Sequence, residues 1–225
     1  MTSTTTQTDE RTAALVIMAK APQPGLAKTR LIPALGAQRA AQLARQLLTH
    51  TLETAVHTQR FSHIELCVTP EPHHPIWTTV GLPTTNPHIA LTDQGDGDLG
   101  SRMQRAFERL LPDHDMVVMI GTDAPDIGAE LLDQAKQDLI QQDAVFVPAF
   151  DGGYTLIGLN QTQTKHLSDL FIDIPWSTSQ VMTITRDRLH GLNANRHEYA
   201  PMADIDEPDD LAKLPVGWHL KQQER

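Results

Sequence analysis

Short apolar runs alternate with stretches of helical period along most of this chain, and that alternation narrows the possible folds more than any other feature. The run at 14–19 is apolar throughout and ends in a Pro/Gly loop, the pattern of a strand buried on both faces. Residues 37–56 then place Leu43, Leu47, Leu48, Leu52 and Ala55 near one helical face. The pattern repeats. Strands are expected at 64–68, 88–92, 115–120, 144–148 and 154–159, and helices at 99–111, 129–140, 178–189 and, shorter, 208–214. Such an order implies an α/β chain whose mostly parallel sheet is covered on both faces. In sheets of that kind, ligands sit beyond the carboxyl ends of the strands.

The 225 residues, 40% of them apolar, suffice for one large core. A formal net charge of −10 argues against nucleic acid as a partner, since a duplex calls for a basic face. It leaves a nucleotide open, because a nucleotide needs only a few cations gathered in one cleft. Cys67 is the single cysteine, which excludes an internal disulfide and suits a reducing compartment. It reads as a strand residue and not as a nucleophile. No apolar run reaches the roughly 18 residues that span a bilayer, and the Thr-rich beginning lacks a signal-peptide core. The expectation is a cytoplasmic protein without a membrane partner: a disordered polar tail at 1–12, one domain at 13–217 and a polar tail at 218–225.

Four segments carry residues suited to chemistry. After the first strand, Lys20, Gly25, Lys28 and Arg30 share one loop with Pro22 and Pro24. Lys as a point charge and Arg as a fork suit a polyphosphate, and the alternative is a solvated basic loop. The fragment Gly25-Leu26-Ala27-Lys28-Thr29 lacks the first glycine of a Walker A loop and is not one. Asp123, in Gly121-Thr122-Asp123-Ala124-Pro125, lies just past a buried strand, where a carboxylate can hold a divalent cation against phosphate oxygens. Asp126, nearer the following helix, reads as its cap. Gly152 and Gly153 follow Asp151 and suit either a close approach of backbone to a ligand or a plain turn. In Asp204-Ile205-Asp206 the alternation puts two carboxylates on one side of an extended segment, a second metal contact, while Asp209 and Asp210 suit a helix start. His73-His74 lacks the spacing of a zinc site, and Gly95-Asp96-Gly97-Asp98 lacks the closing glutamate of a calcium loop. With no Gly-x-Ser-x-Gly elbow and no GxGxxG opening a helix, serine-hydrolase and ordinary dinucleotide readings fall away.

Six segments in order resemble a bacterial family of glycosyltransferase-A-like proteins, of the selenodomain-associated or arsenosugar-biosynthesis transferase type within the nucleotide-diphospho-sugar transferase superfamily. They are Lys20-x-Pro22-x-x-Gly25-x-x-Lys28-Thr29-Arg30-Leu31, Gln94-Gly95-x-Gly97-Asp98-Leu99-Gly100-x-Arg102-Met103, Gly121-Thr122-Asp123-x-Pro125, Pro148-Ala149-x-Asp151-Gly152-Gly153-Tyr154, Trp176-Ser177-Thr178 and Asp204-Ile205-Asp206. The resemblance spans 15–211. Many relatives carry cysteine where this chain has Ala124, which removes any thiol chemistry there and leaves the carboxylate.

The resemblance implies a glycosyltransferase-A-like three-layer α/β/α sandwich around a seven-stranded, largely parallel sheet. It implies a metal at Asp123, magnesium or manganese, with Asp204 and Asp206 as further ligands. Lys20, Lys28 and Arg30 would face nucleotide phosphates. Arg102 would assist from the start of a helix whose amides favour anions. Asp151, with Asp123 and Asp206 a catalytic candidate, would lie on the acceptor side with Gly152, Gly153 and Trp176, the last either a sugar platform or a packed hydrophobe. Two chemistries share that fold. One is glycosyl transfer from a nucleotide sugar to a small acceptor, the preferred expectation. The other is nucleotidyl transfer from a nucleoside triphosphate to a phosphorylated acceptor. A non-catalytic nucleotide-binding module is the third reading, and oligomeric state is open.

Overall fold

Strand β1 (Ala13–Lys20) lies inside a seven-stranded sheet of order β3-β2-β1-β4-β6-β5-β7. The computed structural model describes residues 11–58, 60–80 and 89–218. The other strands are β2 (His63–Thr69), β3 (Ile89–Asp93), β4 (Met116–Ile120), β5 (Ala144–Pro148), β6 (Tyr154–Asn160) and β7 (Arg196–Glu198). The helices are α1 (Ile32–Leu35), α2 (Ala37–His57), α3 (Ile76–Val80), α4 (Leu99–Leu110), α5 (Ala129–Asp138), α6 (Leu167–Phe171) and α7 (Val181–Gly191). Position 88, expected to open the third strand, lies outside the described residues, as do 1–10 and 219–225 of the two expected tails.

Parallel pairing of β1 with both β2 and β4 sets Leu15 beside Ile64 on one side and Val118 on the other. Among the described strands only β6 runs against the rest, antiparallel to β4 and β5. The sheet is therefore mostly parallel, and the chain is a three-layer α/β fold.

The alternation of side chains along a strand decides the layers. Odd residues of β1 (Ala13, Leu15, Ile17, Ala19) join a buried cluster with Leu48, Leu52 and Ala55 of α2 and Leu132 and Ala135 of α5. Even residues (Ala14, Val16) join a second cluster with Met103 and Phe107 of α4, Leu170 of α6 and Met182 and Leu189 of α7. Helix α2 has a further apolar stripe. Its Ala40, Leu43 and Leu47 enclose Leu31 and Ile205, so it clasps the C-terminal segment as well as the sheet. Burying each Leu or Ile side chain contributes roughly 1.5–3 kcal/mol, so this third cluster is enough to dock a segment that has no strand of its own.

Glu65 of β2 is buried inside the layer of α4, where the Arg109 guanidinium pairs with it and Thr92 Oγ1 donates to it at 2.6 Å. Burial alone would lower the Arg109 pKa, but the Glu65 partner raises it overall. The pair ties α4 to the sheet. Cys67 beside it is fully buried, and burial pushes its thiol pKa up, as suits a packed strand residue.

Candidate active site

The four segments that the sequence singled out for chemistry meet beyond the carboxyl ends of the parallel strands, where a cavity of about 540 Å³ lies. Its walls include Lys20, Lys28, Arg30, Arg102, Asp123, Asp151, Gly153, Trp176, Asp204 and Asp206. Gly25 and Gly152 are not among the lining residues. Gly25 turns the exposed loop at φ 81. Gly152 approaches the protein's own backbone: a Cβ there would stand 2.4 Å from the Ser179 carbonyl oxygen.

The first loop ends at Lys28, which caps a 3-10 turn over Thr29–Leu31 with left-handed backbone, φ 48 and ψ 47. That conformation sends its side chain inward, where it is 5% exposed. Its Nζ stands 2.7 Å from Asp123 Oδ1 and 3.7 Å from Asp206 Oδ1. Despite the short distance, the ammonium has no directed hydrogen bond. The contact with Asp123 is a charge pair of poor angle. Arg30 lies farther out and pairs with Asp206 Oδ2 at 2.6 Å and Glu207 Oε1 at 3.5 Å.

The Asp204–Asp206 segment reaches Asp123 through main chain. The Ile205 amide donates to the Asp123 carbonyl at 2.8 Å, and the Met202 amide to Pro148 at 2.9 Å, alongside the end of β5. Ile205 is buried under α2. With that side chain inward, Asp204 and Asp206 fall on the cavity side. Burial raises the Asp204 carboxyl pKa, and the neighbouring carboxylates Asp151, Asp206 and Asp123 add to the rise. Asp210 accepts from the Asp206 and Glu207 amides and opens the short turn Pro208–Lys213, as expected of a helix start.

Among the described residues, no group of three or more His, Cys, Asp or Glu side chains stands in metal-holding geometry. The chemistry of the donor set nevertheless fits a hard divalent cation. Asp123, Asp151, Asp204 and Asp206 offer only oxygen, and a buried, undirected ammonium already stands between Asp123 and Asp206. Magnesium usually takes one or two carboxylates and completes its shell with phosphates and waters, so a full protein cage is not required.

One local expectation is corrected. Helix α5 is capped by Gly128 without a side-chain bond, and Asp126 is exposed two residues earlier, so it does not cap that helix. At α4 the Asp98 carboxylate accepts from the Ser101 amide at 2.8 Å and from its hydroxyl at 2.7 Å, and those bonds lower its pKa. One of the amides at this helix start, that of Ser101, is therefore occupied by the helix's own cap.

Arg102 is held beside that helix start by two acceptors, the Gly97 carbonyl at 3.0 Å and Gln94 Oε1 at 3.3 Å. Gln94 is buried, and its amide donates to the carbonyls of Ala19 and Cys67, each at 3.0 Å. It therefore fixes Arg102 to the ends of β1 and β2. The sequence reading gave Gln94 no role. Its signal was a lone amide immediately after a strand.

At the far end, Tyr154 and Trp176 form an aromatic wall, edge to face with centroids 6.4 Å apart, and Phe171 backs the indole at 6.5 Å. Burial pushes the Tyr154 phenol pKa up. Asp151 turns back to accept from the Gly153 amide at 2.8 Å, which fixes its carboxylate at the tip between β5 and β6.

The fold is one shared by α/β proteins that include nucleotide-diphospho-sugar transferases and cytidylyltransferases. A provisionally assigned nucleotide-diphospho-sugar transferase from Desulfovibrio desulfuricans G20 is 29% identical, with a TM-score of 0.77 over 87% of this chain and 82% of that one. The 4-diphosphocytidyl-2C-methyl-D-erythritol synthase of Anaerococcus prevotii shares the fold at 12% identity, with a TM-score of 0.62 over 90% of this chain and 94% of that one. Rv0371c from Mycobacterium tuberculosis H37Rv, in complex with manganese, shares it at 16% identity and a TM-score of 0.57, over 91% and 97%. No curated protein matches in sequence. The chain belongs to the family described as "Uncharacterized protein conserved in bacteria (DUF2064)", whose model matches residues 51–178. Among the described residues, no helix is long and apolar enough to cross a membrane.

Proposed function

We propose that this chain is a metal-dependent glycosyltransferase that moves a sugar from a nucleotide-diphospho-sugar to a small acceptor, with 13–217 as its single catalytic domain. Within its family we place it with the selenodomain-associated and arsenosugar-biosynthesis transferases, on the six segments quoted above. One observation carries the reading: a single cavity sets the cations of the first loop against the carboxylates Asp123 and Asp206. A diphosphate bridged to a divalent cation needs both charges at that spacing.

Lys20, Lys28, Arg30 and Arg102 bind the diphosphate, and Asp123 with Asp204 or Asp206 would hold magnesium or manganese, which would neutralise charge on the departing diphosphate. Asp151 accepts the proton of the acceptor hydroxyl as its oxygen bonds to the sugar carbon and the bond from that carbon to the diphosphate breaks. Tyr154 and Trp176 give the sugar or acceptor an apolar face. Burial raises the Asp204 pKa, and the carboxylates Asp151, Asp206 and Asp123 around it add to the rise. They favour an acceptor that offers hydroxyls over one that brings a further phosphate.

The second reading, nucleotidyl transfer, draws on the four cations Lys20, Lys28, Arg30 and Arg102 in the cavity wall, enough charge for a triphosphate. A third, a module that binds nucleotide without turnover, leaves the carboxylates without a task. The released product separates them. The protein is incubated with magnesium, nucleotide sugars, triphosphates and a panel of acceptors. Acceptor-dependent nucleoside diphosphate is the expected product. Acceptor-dependent pyrophosphate with nucleotide sugars inert would establish the nucleotidyltransferase instead.

A further inference from the structure

Lys28 faces carboxylates as well as the cavity. Its ammonium is buried, unpartnered by any directed hydrogen bond, and aimed between Asp123 Oδ1 at 2.7 Å and Asp206 Oδ1 at 3.7 Å. The backbone that puts it there, φ 48 and ψ 47, is one that side-chain-bearing residues seldom adopt. Asp204 lies on the same extended segment as Asp206, and the Ile205 amide bonds the Asp123 carbonyl, so main chain holds that segment against the Asp123 loop. Without a cation the mutual repulsion of these acids in a partly buried site is unfavourable. A lysine suits that post because it is a compact point charge on a flexible four-carbon stem, able to leave when a better anion arrives.

We infer that Lys28 is an internal counter-ion that stands in for the divalent metal in the carboxylate cluster and is drawn away by the phosphates of the nucleotide, so that metal and nucleotide bind cooperatively. The inference rests on the reading that Asp123 holds the metal. It assigns Lys28 two successive partners, carboxylates in the free protein and phosphate in the complex. Linkage makes the effect reciprocal: whatever phosphate does for metal affinity, metal does for phosphate affinity.

The test is manganese binding followed by electron paramagnetic resonance and water proton relaxation, with and without inorganic pyrophosphate, subtracting the protein-free chelate. The parent should bind manganese weakly alone and about tenfold or more tightly with pyrophosphate. Lys28→Met should bind manganese about tenfold more tightly than the parent without pyrophosphate, and the enhancement by pyrophosphate should largely vanish. Lys28→Asn provides the same deletion with a residue that tolerates the left-handed backbone, and thermal midpoints show that each variant is folded. Arg39→Gln, which removes an exposed cation of α2 outside the cavity wall, should leave the pyrophosphate enhancement in place. If parent and folded Lys28 variants bind free manganese equally while pyrophosphate still enhances binding in the parent, the counter-ion role is wrong and the metal site stands. If the parent binds no manganese under either condition, the metal reading falls and takes this inference with it. A parent that shows no enhancement by pyrophosphate overturns the coupling whether or not the variants fold.

Discussion

Changing Gly152 to alanine should destabilise this protein more than any other single methyl added around the cavity. The residue sits at φ +94, where a side-chain-bearing residue is strained. Its added Cβ would lie 2.4, 2.5 and 2.7 Å from the O, Cα and C atoms of Ser179, all of them backbone that cannot rotate aside. The Gly152 carbonyl also accepts from the Met182 amide at 2.8 Å, in the first turn of α7, so a shift of this turn breaks a bond as well. Backbone strain of this type costs roughly 1–3 kcal/mol and overpacking another 1–3, giving roughly 2–6 kcal/mol in all. For a domain stable by about 5–15 kcal/mol that is a large share. Urea unfolding reads it directly: the midpoint should fall by about 1–3 M while the slope stays constant. Gly153→Ala is the control, because its Cβ would meet only the Asp151 carboxylate, at 3.2 Å and 4.0 Å. A Gly152→Ala midpoint equal to that of the control would refute the argument.

Gly100→Ala should disturb the aromatic wall, since its Cβ would fall 2.5 Å from Trp176 Nε1 and 2.6 Å from the Phe171 carbonyl; a shifted tryptophan emission would report it, and an unchanged spectrum would contradict the packing. Alanine at Asp204 or Asp206 should weaken manganese-dependent nucleotide binding by about 1.5–3 kcal/mol, while exposed Asp209→Ala leaves it unchanged; isothermal titration of the three variants decides between them. The Arg186 hydrogen bonds hold the Glu198 carboxyl below its ordinary pKa, so the folded state binds fewer protons there than the unfolded chain. That stability is present above the ordinary carboxylate range and lost as pH falls through the depressed value. Glu198→Gln should therefore lower stability at pH 7 by at most about 1 kcal/mol for this partly exposed pair, read as a lower thermal midpoint, and the difference from the parent should shrink in acid.

The layers of this fold were readable because period-2 and period-3.6 patterns report burial, and β1, α2 and α4 bury what their patterns say. Strand β7 was not readable. Its three residues, Arg196, His197 and Glu198, carry no apolar signal and are held by pairing with β5. The turn over Gln161–His166 and helix α6 were missed for a related reason, since five residues of helix are too few to show a period. At the site, the sequence could name Lys28, Asp123 and Asp206 as separate candidates on separate loops. It could not show that Lys28 reaches Asp123 and not solvent, because that depends on a left-handed backbone at Lys28 and on the Ile205–Asp123 main-chain bond. Gly152 illustrates the same gap from the other direction. A paired glycine promises close approach of backbone, and only the fold shows that the approaching group is Ser179.

The central claim is that phosphates and a divalent cation meet between the first loop and the carboxylate cluster. Crystals soaked with manganese and a nucleotide-diphospho-sugar, with data collected at the manganese absorption edge, test it most directly. The expected map has one anomalous peak in contact with Asp123 and with Asp204 or Asp206, the diphosphate against Lys28 and Arg30, and the Lys28 ammonium moved off the carboxylates. A manganese peak away from Asp123, or a diphosphate bound with no contact to the 20–30 loop, would contradict it.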